Sequence, residues 1–156
     1  MTGDQSHIRG DVSDILVRDV VRKHAQRNLP VVKRDMPIDD LVKAMEWFRH
    51  SRILYVVDGE NRLIGTITLR ALVGHVFHQS HRGGFRPRDL LRVLTTEAAE
   101  DLMADFACHA GMDERITDVL ERMVDKGVEE IPVLDEDMKV IGDLTMIDLL
   151  RAVTKD

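Results

Sequence analysis

The chain has one cysteine, Cys108, among its 156 residues. A single cysteine excludes an intramolecular disulfide, and the absence of a Cys-x-x-Cys pair excludes the usual zinc and thiol-redox motifs. Such cysteine usage is typical of a reducing compartment, so we expect the protein in the cytoplasm.

Long apolar runs are also missing. No segment approaches the roughly 20 apolar residues that cross a bilayer, and the N-terminus lacks the apolar core of a signal peptide. The polar residues 1–11 show no periodicity and are predicted to form a flexible leader. We therefore expect no membrane association.

The common catalytic motifs are absent as well. There is no Gly-x-Ser-x-Gly elbow, no Walker loop and no His-Glu-x-x-His zinc motif, so we predict that the protein is not an enzyme. His75, His78 and His81 lie on one predicted helix, but steps of three residues turn them about 60° apart on its surface, and we predict no metal site there.

The balance of charge argues against polynucleotide partners. The formal net charge is -6, which disfavours general binding to nucleic acid or to anionic membranes. The arginines between Arg82 and Arg92 leave nucleic-acid binding as the least favoured alternative, and strong salt dependence would be its signature.

What the chain does contain is an internal repeat. The segment Leu54–Val73 recurs 77 residues later, with Gly65 and Gly142, and Thr68 and Thr145, in matching positions. A fixed offset indicates a duplicated unit. In each copy two short apolar runs around a polar turn predict a β-hairpin, followed by a helix that begins after the threonine.

The rest of the chain extends this pattern to an α/β (α+β) fold. Amphipathic helices are predicted from Ile38 to Phe48 and from Ile116 to about Lys126, the second ending at Gly127. Short strands are predicted at Leu29–Val32 and Phe106–His109. Further helices are predicted from Val12 to about Gln26, from Leu69 to about Gln79, from Asp89 to Leu94 and, capped by Thr95 or Thr96, from Glu97 to Met103.

The predicted organisation has four parts. A leader (1–11) precedes repeat 1 (12–80), a glycine- and arginine-rich linker (81–88) and repeat 2 (89–156). Each repeat alone is too small to bury a large core, so we expect the two to pack on each other.

Three local motifs point to a known family. Gly142 to Asp148 has the form Gly-x-x-Thr-x-x-Asp, and Ile131 to Asp135 reads Pro-Val-x-Asp after its first residue. Ser13–Leu16 and Glu100–Met103 resemble an opening Asp-Ile-Met signature. With the duplication, the chain resembles the cystathionine-β-synthase (CBS) domain family and its tandem pair, the Bateman module. The resemblance implies two repeats, each a small three-stranded sheet with flanking helices, packed with pseudo-twofold symmetry.

The resemblance also implies a function. Modules of this kind bind AMP, ADP, ATP or S-adenosylmethionine in the cleft between repeats, act on a protein target and commonly form homodimers. The matching positions here are Thr145 and Asp148 at the ribose and phosphate, with the adenine against two further segments: Ala107, Cys108 and His109, and Glu130, Ile131 and Pro132. A carboxylate can accept from both ribose hydroxyls, and a hydroxyl and free N–H groups at a helix start can donate to phosphate.

The first copy departs from the motif. Ala71 stands where Asp148 stands in the second copy, and Tyr55 replaces Pro132. We therefore expect one competent cleft, with a degenerate second site at Thr68, Arg70 and Lys33.

The same residues have a structural interpretation. Thr145 and Asp148 also satisfy the capping-box pattern, in which both only start a helix, and Thr68 without a partner carboxylate is a plain cap. Residues such as Cys108 and His109 are more often structural residues of a strand than ligand contacts. The alternative function is accordingly a ligand-free interaction or scaffold module that dimerises through its repeats.

Overall fold

A computed structural model of the chain describes residues 12–80 and 86–154. The leader, His81 and most of the linker lie outside these ranges. The strands are β1 (Val31–Lys33), β2 (Ile53–Val57), β3 (Leu63–Thr68), β4 (Glu130–Leu134) and β5 (Val140–Thr145). The helices are α1 (Val17–Lys23), α2 (Ile38–Trp47), α3 (Leu69–Ser80), α4 (Pro87–Thr96), α5 (Ala99–Leu102), α6 (Ile116–Lys126) and α7 (Met146–Thr154).

These elements form two compact units that do not coincide with the two sequence copies. The first unit joins the described residues up to Arg27 with those from Ala107 onward, and the second unit is Asn28–Phe106. Each unit thus combines the opening helix of one copy with the hairpin of the other copy. The opening helices are α1 in the first unit and α5 in the second. The repeat boundaries at 12–80 and 89–156 remain a prediction about the sequence copies.

The second unit is built on a three-stranded sheet in the order β1-β2-β3. β1 runs parallel to β2, and β2 pairs antiparallel with β3. β1 is an edge strand, and Pro30 directly before it has no N–H to donate to a neighbouring strand. The apolar face of α2 buries Ile38, Leu41 and Met45, because their spacing places them on one side of the helix.

The first unit has a smaller sheet than predicted. β4 and β5 form a two-stranded antiparallel ladder, and the predicted strand Phe106–His109 is not formed. Ala110 alone makes a parallel bridge to Val133, donating to the carbonyl of Pro132 at 3.0 Å. The third strand is reduced to one residue because the chain turns at Gly111, whose N–H donates to the Glu114 carboxylate.

The opening helices show that the predicted match between Ser13–Leu16 and Glu100–Met103 was wrong. α1 starts at Val17, because Leu16 is extended and bridged to Arg115. The Asp19 carboxylate accepts from the Leu16 N–H at 3.0 Å, and Asp101 accepts from the Ala98 N–H at 2.8 Å. Asp19 is therefore the counterpart of Asp101, and the match of Ser13–Leu16 to Glu100–Met103 is displaced by five residues.

Two other local predictions have opposite outcomes. The hydroxyls of Thr95 and Thr96 donate to carbonyls one turn back in α4, so the prediction that they cap the next helix is wrong. The helix end at Gly127 is confirmed, since Gly127 has φ 65°, a left-handed conformation that glycine adopts without steric cost.

The two motif glycines lie where another segment approaches closely. A Cβ at Gly65 would be 3.0 Å from the Ala104 carbonyl oxygen and 2.9 Å from the Met103 sulfur. A Cβ at Gly142 would be 3.1 Å from a methyl of Val21. In both units, therefore, the segment that carries the opening helix packs on the last strand of the hairpin at a glycine.

We predict that Gly65→Ala lowers the free energy of unfolding by about 1 to 3 kcal/mol, because the added methyl meets backbone that cannot rotate away. Gly74→Ala is the matched control. Gly74 lies within α3 with open space around its Cβ position, and alanine there should be neutral or stabilising by up to about 1 kcal/mol. Urea denaturation measures both changes. Equal stability of Gly65→Ala and the wild type would contradict the close approach.

Candidate functional site

Thr145 and Asp148 lie at the junction of β5 and α7 in the first unit. The Thr145 N–H donates to Asp148 Oδ2 at 2.9 Å, and the Asp148 N–H donates to Thr145 Oγ1 at 3.2 Å. This reciprocal pair is a capping box, which satisfies two backbone donors at the helix start. The structural interpretation of the motif is therefore confirmed, and any ligand role must be compatible with it.

Two residues that the sequence reasoning missed hold the Asp148 carboxylate. Arg27 donates to both oxygens, Nη1 to Oδ2 at 2.7 Å and Nη2 to Oδ1 at 2.9 Å. His24 Nε2 lies 3.2 Å from Oδ1. Both residues follow α1, more than 100 residues from Asp148 in sequence, so no local motif links them to it. The sequence signal was only general: a carboxylate in an apolar segment requires a cation.

This cluster is buried. The side chains of Asp148 and Arg27 are 2% and 15% exposed. Burial raises the pKa of Asp148, but hydrogen bonds from Arg27 and the Thr145 N–H outweigh it, and the pKa is lowered to about 2. The hydrogen bond to Asp148 raises the pKa of Arg27 in turn. Asp143, 5% exposed, has Oδ1 3.6 Å from Arg27 Nη1. At neutral pH the cluster is an ion pair with a second carboxylate beside it.

The predicted segment at the start of β4 is adjacent to this cluster. Glu130 pairs with Thr145 across the hairpin and is half-buried. Ile131 is fully buried in the core of the first unit, and Pro132 is buried as well. Of the three predicted residues, Glu130 is the one that the structure places beside Thr145 with its side chain partly open.

The other predicted segment lines a separate cavity in the first unit. Ala107, Cys108 and His109 lie on a cavity of about 780 Å³ whose further lining includes Arg122 and Lys126. Neither Thr145 nor Asp148 is among the described residues that line it. The structure therefore divides the predicted adenine contacts between two places.

Two charged residues of this cavity, Arg122 and Glu114, are paired with each other. Arg122 donates to both oxygens of the Glu114 carboxylate and to the His109 carbonyl, and its hydrogen bonds lower the pKa of Glu114. Burial raises the pKa of the Cys108 thiol, although Arg122 and Lys126 oppose this. Cys108 is therefore a protonated thiol at neutral pH and a poor nucleophile.

The three residues predicted to form the degenerate site of the first copy, Thr68, Arg70 and Lys33, do not lie together. Thr68 Oγ1 accepts from the Ala71 N–H at 3.0 Å, which is the geometry of a plain cap, and Arg70 is exposed beside it. Lys33 donates to Asn61 at 2.7 Å and lies opposite Val57, whereas Thr68 lies opposite Ile53. Ile53 and Val57 are four steps apart along β2, which is roughly 13 Å at the usual rise of a strand.

Two further observations concern metal binding and membrane-spanning helices. Within residues 12–80 and 86–154, no three His, Cys, Asp or Glu side chains are placed to hold a metal ion; His75 instead contacts Glu97. No helix in the described ranges combines the length and apolarity needed to cross a membrane.

Two units that share the order of helix, hairpin and helix define a tandem α/β repeat protein. The sequence profile of the CBS domain matches residues 12–78 and 99–155. The chain belongs to the CBS domain family, and its two matches make it a tandem pair.

Solved structures agree with this assignment. A CBS domain-containing protein from Thermotoga maritima is 30% identical with a TM-score of 0.69, and the match covers 91% of this chain and 96% of that one. CBSX2, solved in complex with AMP, is 23% identical with a TM-score of 0.69 over 90% of this chain and 96% of that one. The CBS domain pair of protein MJ0100, in complex with 5′-methylthioadenosine and S-adenosyl-L-methionine, is 21% identical with a TM-score of 0.64 over 88% and 94%.

Curated relatives are longer proteins. An uncharacterised protein of Methanopyrus kandleri is 31% identical over 62% of this chain and 43% of its own length. The homoserine O-acetyltransferase of Methanohalobium evestigatum is 24% identical over 91% of this chain and 24% of its own length. The chain thus spans less than half the length of these relatives.

We predict that the ion pair makes stability depend on acid pH. Because the pKa of Asp148 is lowered in the folded state, its contribution to the free energy of unfolding is complete above about pH 4 and is lost as pH falls through about 2. For this pKa shift the contribution is about 2 kcal/mol. Asp148→Asn should therefore be less stable than wild type at pH 6, and the difference should narrow toward pH 2.

Chemical denaturation at several pH values measures this difference. Asp137→Asn, in the exposed β4–β5 turn, is the matched control and should stay within about 0.5 kcal/mol of wild type. A difference between wild type and Asp148→Asn that is constant with pH would rule out the ion pair.

Proposed function

We propose that this chain is a regulatory module that senses an adenosine-containing ligand, AMP, ADP, ATP or S-adenosylmethionine, around Thr145 and Asp148 in the first unit. It acts in the cytoplasm on a protein target and has no catalytic activity of its own. The observation that carries the proposal is the pairing, in a member of the CBS family, of an ionised carboxylate with a hydroxyl at the start of α7.

The chemistry of this junction suits a ribose. The Asp148 carboxylate can accept from two vicinal hydroxyls, and such charge-assisted bonds are the stronger kind. Thr145 Oγ1 accepts in the capping bond, which leaves its own hydrogen to donate to a ligand oxygen. The Met146 N–H already donates to Glu129, so fewer backbone donors are open to phosphate than the sequence predicted. AMP in CBSX2 and S-adenosylmethionine in the MJ0100 pair supply the candidate ligands.

A scaffold function is the alternative, and one observation favours it. Asp148 already caps α7 and neutralises buried Arg27, so the residue has a structural role without any ligand. The two functions differ in whether the junction binds adenosine compounds at all.

We predict that isothermal titration calorimetry, run below the melting temperature, detects binding of at least one of AMP, ADP, ATP and S-adenosylmethionine to the wild type. Thr145→Val should weaken binding by roughly tenfold, because one ligand hydrogen bond is lost. Thr68→Val is the matched control: both variants lose a helix cap, a cost of about 1 kcal/mol in stability, but Thr68→Val should bind as wild type does. Absence of binding by every ligand would leave the scaffold function.

We also propose that the protein forms a homodimer through the second unit. α2 and α3 border a groove of about 590 Å³ lined mainly by apolar side chains, and Val73 and Phe77 are 59% and 61% exposed. Glu46 and Arg52 line the same groove. A twofold axis would bury this apolar surface against its own copy and bring the acidic residue of one copy toward the basic residue of the other.

For this interface we predict that Phe77→Glu converts a dimer into a monomer, because a charge would be buried without a partner. Light scattering coupled to size-exclusion chromatography measures the mass. Leu91→Glu, at an exposed position of α4 that does not line the groove, should leave the dimer intact. A wild-type monomer, or dissociation by both substitutions, would contradict this interface.

A further inference from the structure

The Asp148 carboxylate already accepts three hydrogen bonds, two of them from Arg27. A carboxylate offers about four lone-pair positions. Arg27 Nη1 and the Thr145 N–H donate to Oδ2, and Arg27 Nη2 donates to Oδ1. His24 Nε2 lies 3.2 Å from the same Oδ1.

The contacts of His24 are consistent with a donor at Nε2. Arg27 Nη2 lies 3.1 Å from His24 Nδ1, and a guanidinium can only donate, so Nδ1 is the acceptor. The ring proton of this tautomer is then on Nε2, directed at Asp148. Arg27 thus donates to both Asp148 and His24, and the three side chains form one contiguous polar cluster.

Because Oδ2 already accepts two hydrogen bonds, a ribose that bonds to both carboxylate oxygens must remove Arg27 from Asp148. The guanidinium presents two parallel N–H donors to the two carboxylate oxygens, which is the arrangement that two vicinal hydroxyls would use. We propose that Arg27 is an internal competitor for the ribose position at Asp148, and that it transfers to Asp143 when the ligand binds. This inference rests on the proposed function, because it concerns the same carboxylate.

Asp143 makes this transfer feasible. A buried guanidinium without an anion is strongly unfavourable. Asp143 Oδ1 is 3.6 Å from Arg27 Nη1 and its side chain is 5% exposed, so a short movement brings the cation into hydrogen-bonding distance of a second carboxylate. Arg27 therefore remains paired in both states, and ligand binding leaves no isolated buried charge.

The competition sets the affinity of the site. Only the fraction of molecules in which Arg27 has left Asp148 can bind, and the apparent dissociation constant is the intrinsic one divided by that fraction. Arg27 would thus act as a specificity-determining residue that admits only ligands able to replace both of its hydrogen bonds.

The test is calorimetric titration of adenosine and of AMP into wild type, Arg27→Met, Asp143→Asn and the double variant. Adenosine is the decisive probe because it carries no phosphate. Arg27→Met should bind adenosine at least about tenfold more tightly, since a minor state in such an equilibrium holds at most about 10% of molecules. Asp143→Asn should weaken binding in the wild type, because the displaced guanidinium has lost its second partner. In the Arg27→Met background Asp143→Asn should have no effect.

Arg27→Lys covers the case in which Arg27→Met does not fold. Lysine keeps the positive charge but cannot form the two parallel bonds, so adenosine should bind more tightly than to wild type, though less tightly than to a folded Arg27→Met. Unchanged or weaker adenosine binding in the arginine variants would overturn the inference, as would loss of AMP binding alone, which would make Arg27 a phosphate ligand. If neither the wild type nor any variant binds adenosine, AMP, ADP, ATP or S-adenosylmethionine, the proposed function itself fails.

Discussion

The first unit depends on the ion pair between Arg27 and Asp148. It joins residues 121 positions apart and fixes the segment after α1 to the start of α7. The apolar contacts point the same way, since Val17 and Val20 of α1 share a core with Ile131 and Leu149. Because a buried charge is tolerated only when it is paired, the helix from the first copy and the hairpin from the second copy are held in one arrangement.

The proposed ligand site and this structural constraint use the same atoms. Asp148 starts α7, neutralises Arg27 and is the carboxylate that a ribose would need. A ligand at this position therefore has to replace hydrogen bonds within the protein and not hydrogen bonds to water. Such a site couples binding to a change in side-chain pairing, and the differential affinity between the two arrangements is the source of any regulatory effect.

Features set by local chemistry were predictable from the sequence. The two hairpins, the amphipathic helices and the caps at Thr68 and Thr145 depend on residues within one or two turns of each other. Three features were not predictable, because their partners are distant in sequence. The start of α1 after Leu16 depends on the bridge from Leu16 to Arg115. The third strand shrinks to Ala110. His24 and Arg27 meet Asp148 only after α1 has packed on the other copy's hairpin.

A crystal structure of the chain grown with AMP tests the central claim most directly. The account predicts ribose hydroxyls within hydrogen-bonding distance of both Asp148 oxygens, with the Arg27 side chain moved toward Asp143. AMP bound elsewhere, for example in the cavity beside Arg122, with the pair between Arg27 and Asp148 intact, would contradict it and leave Asp148 as a structural residue alone.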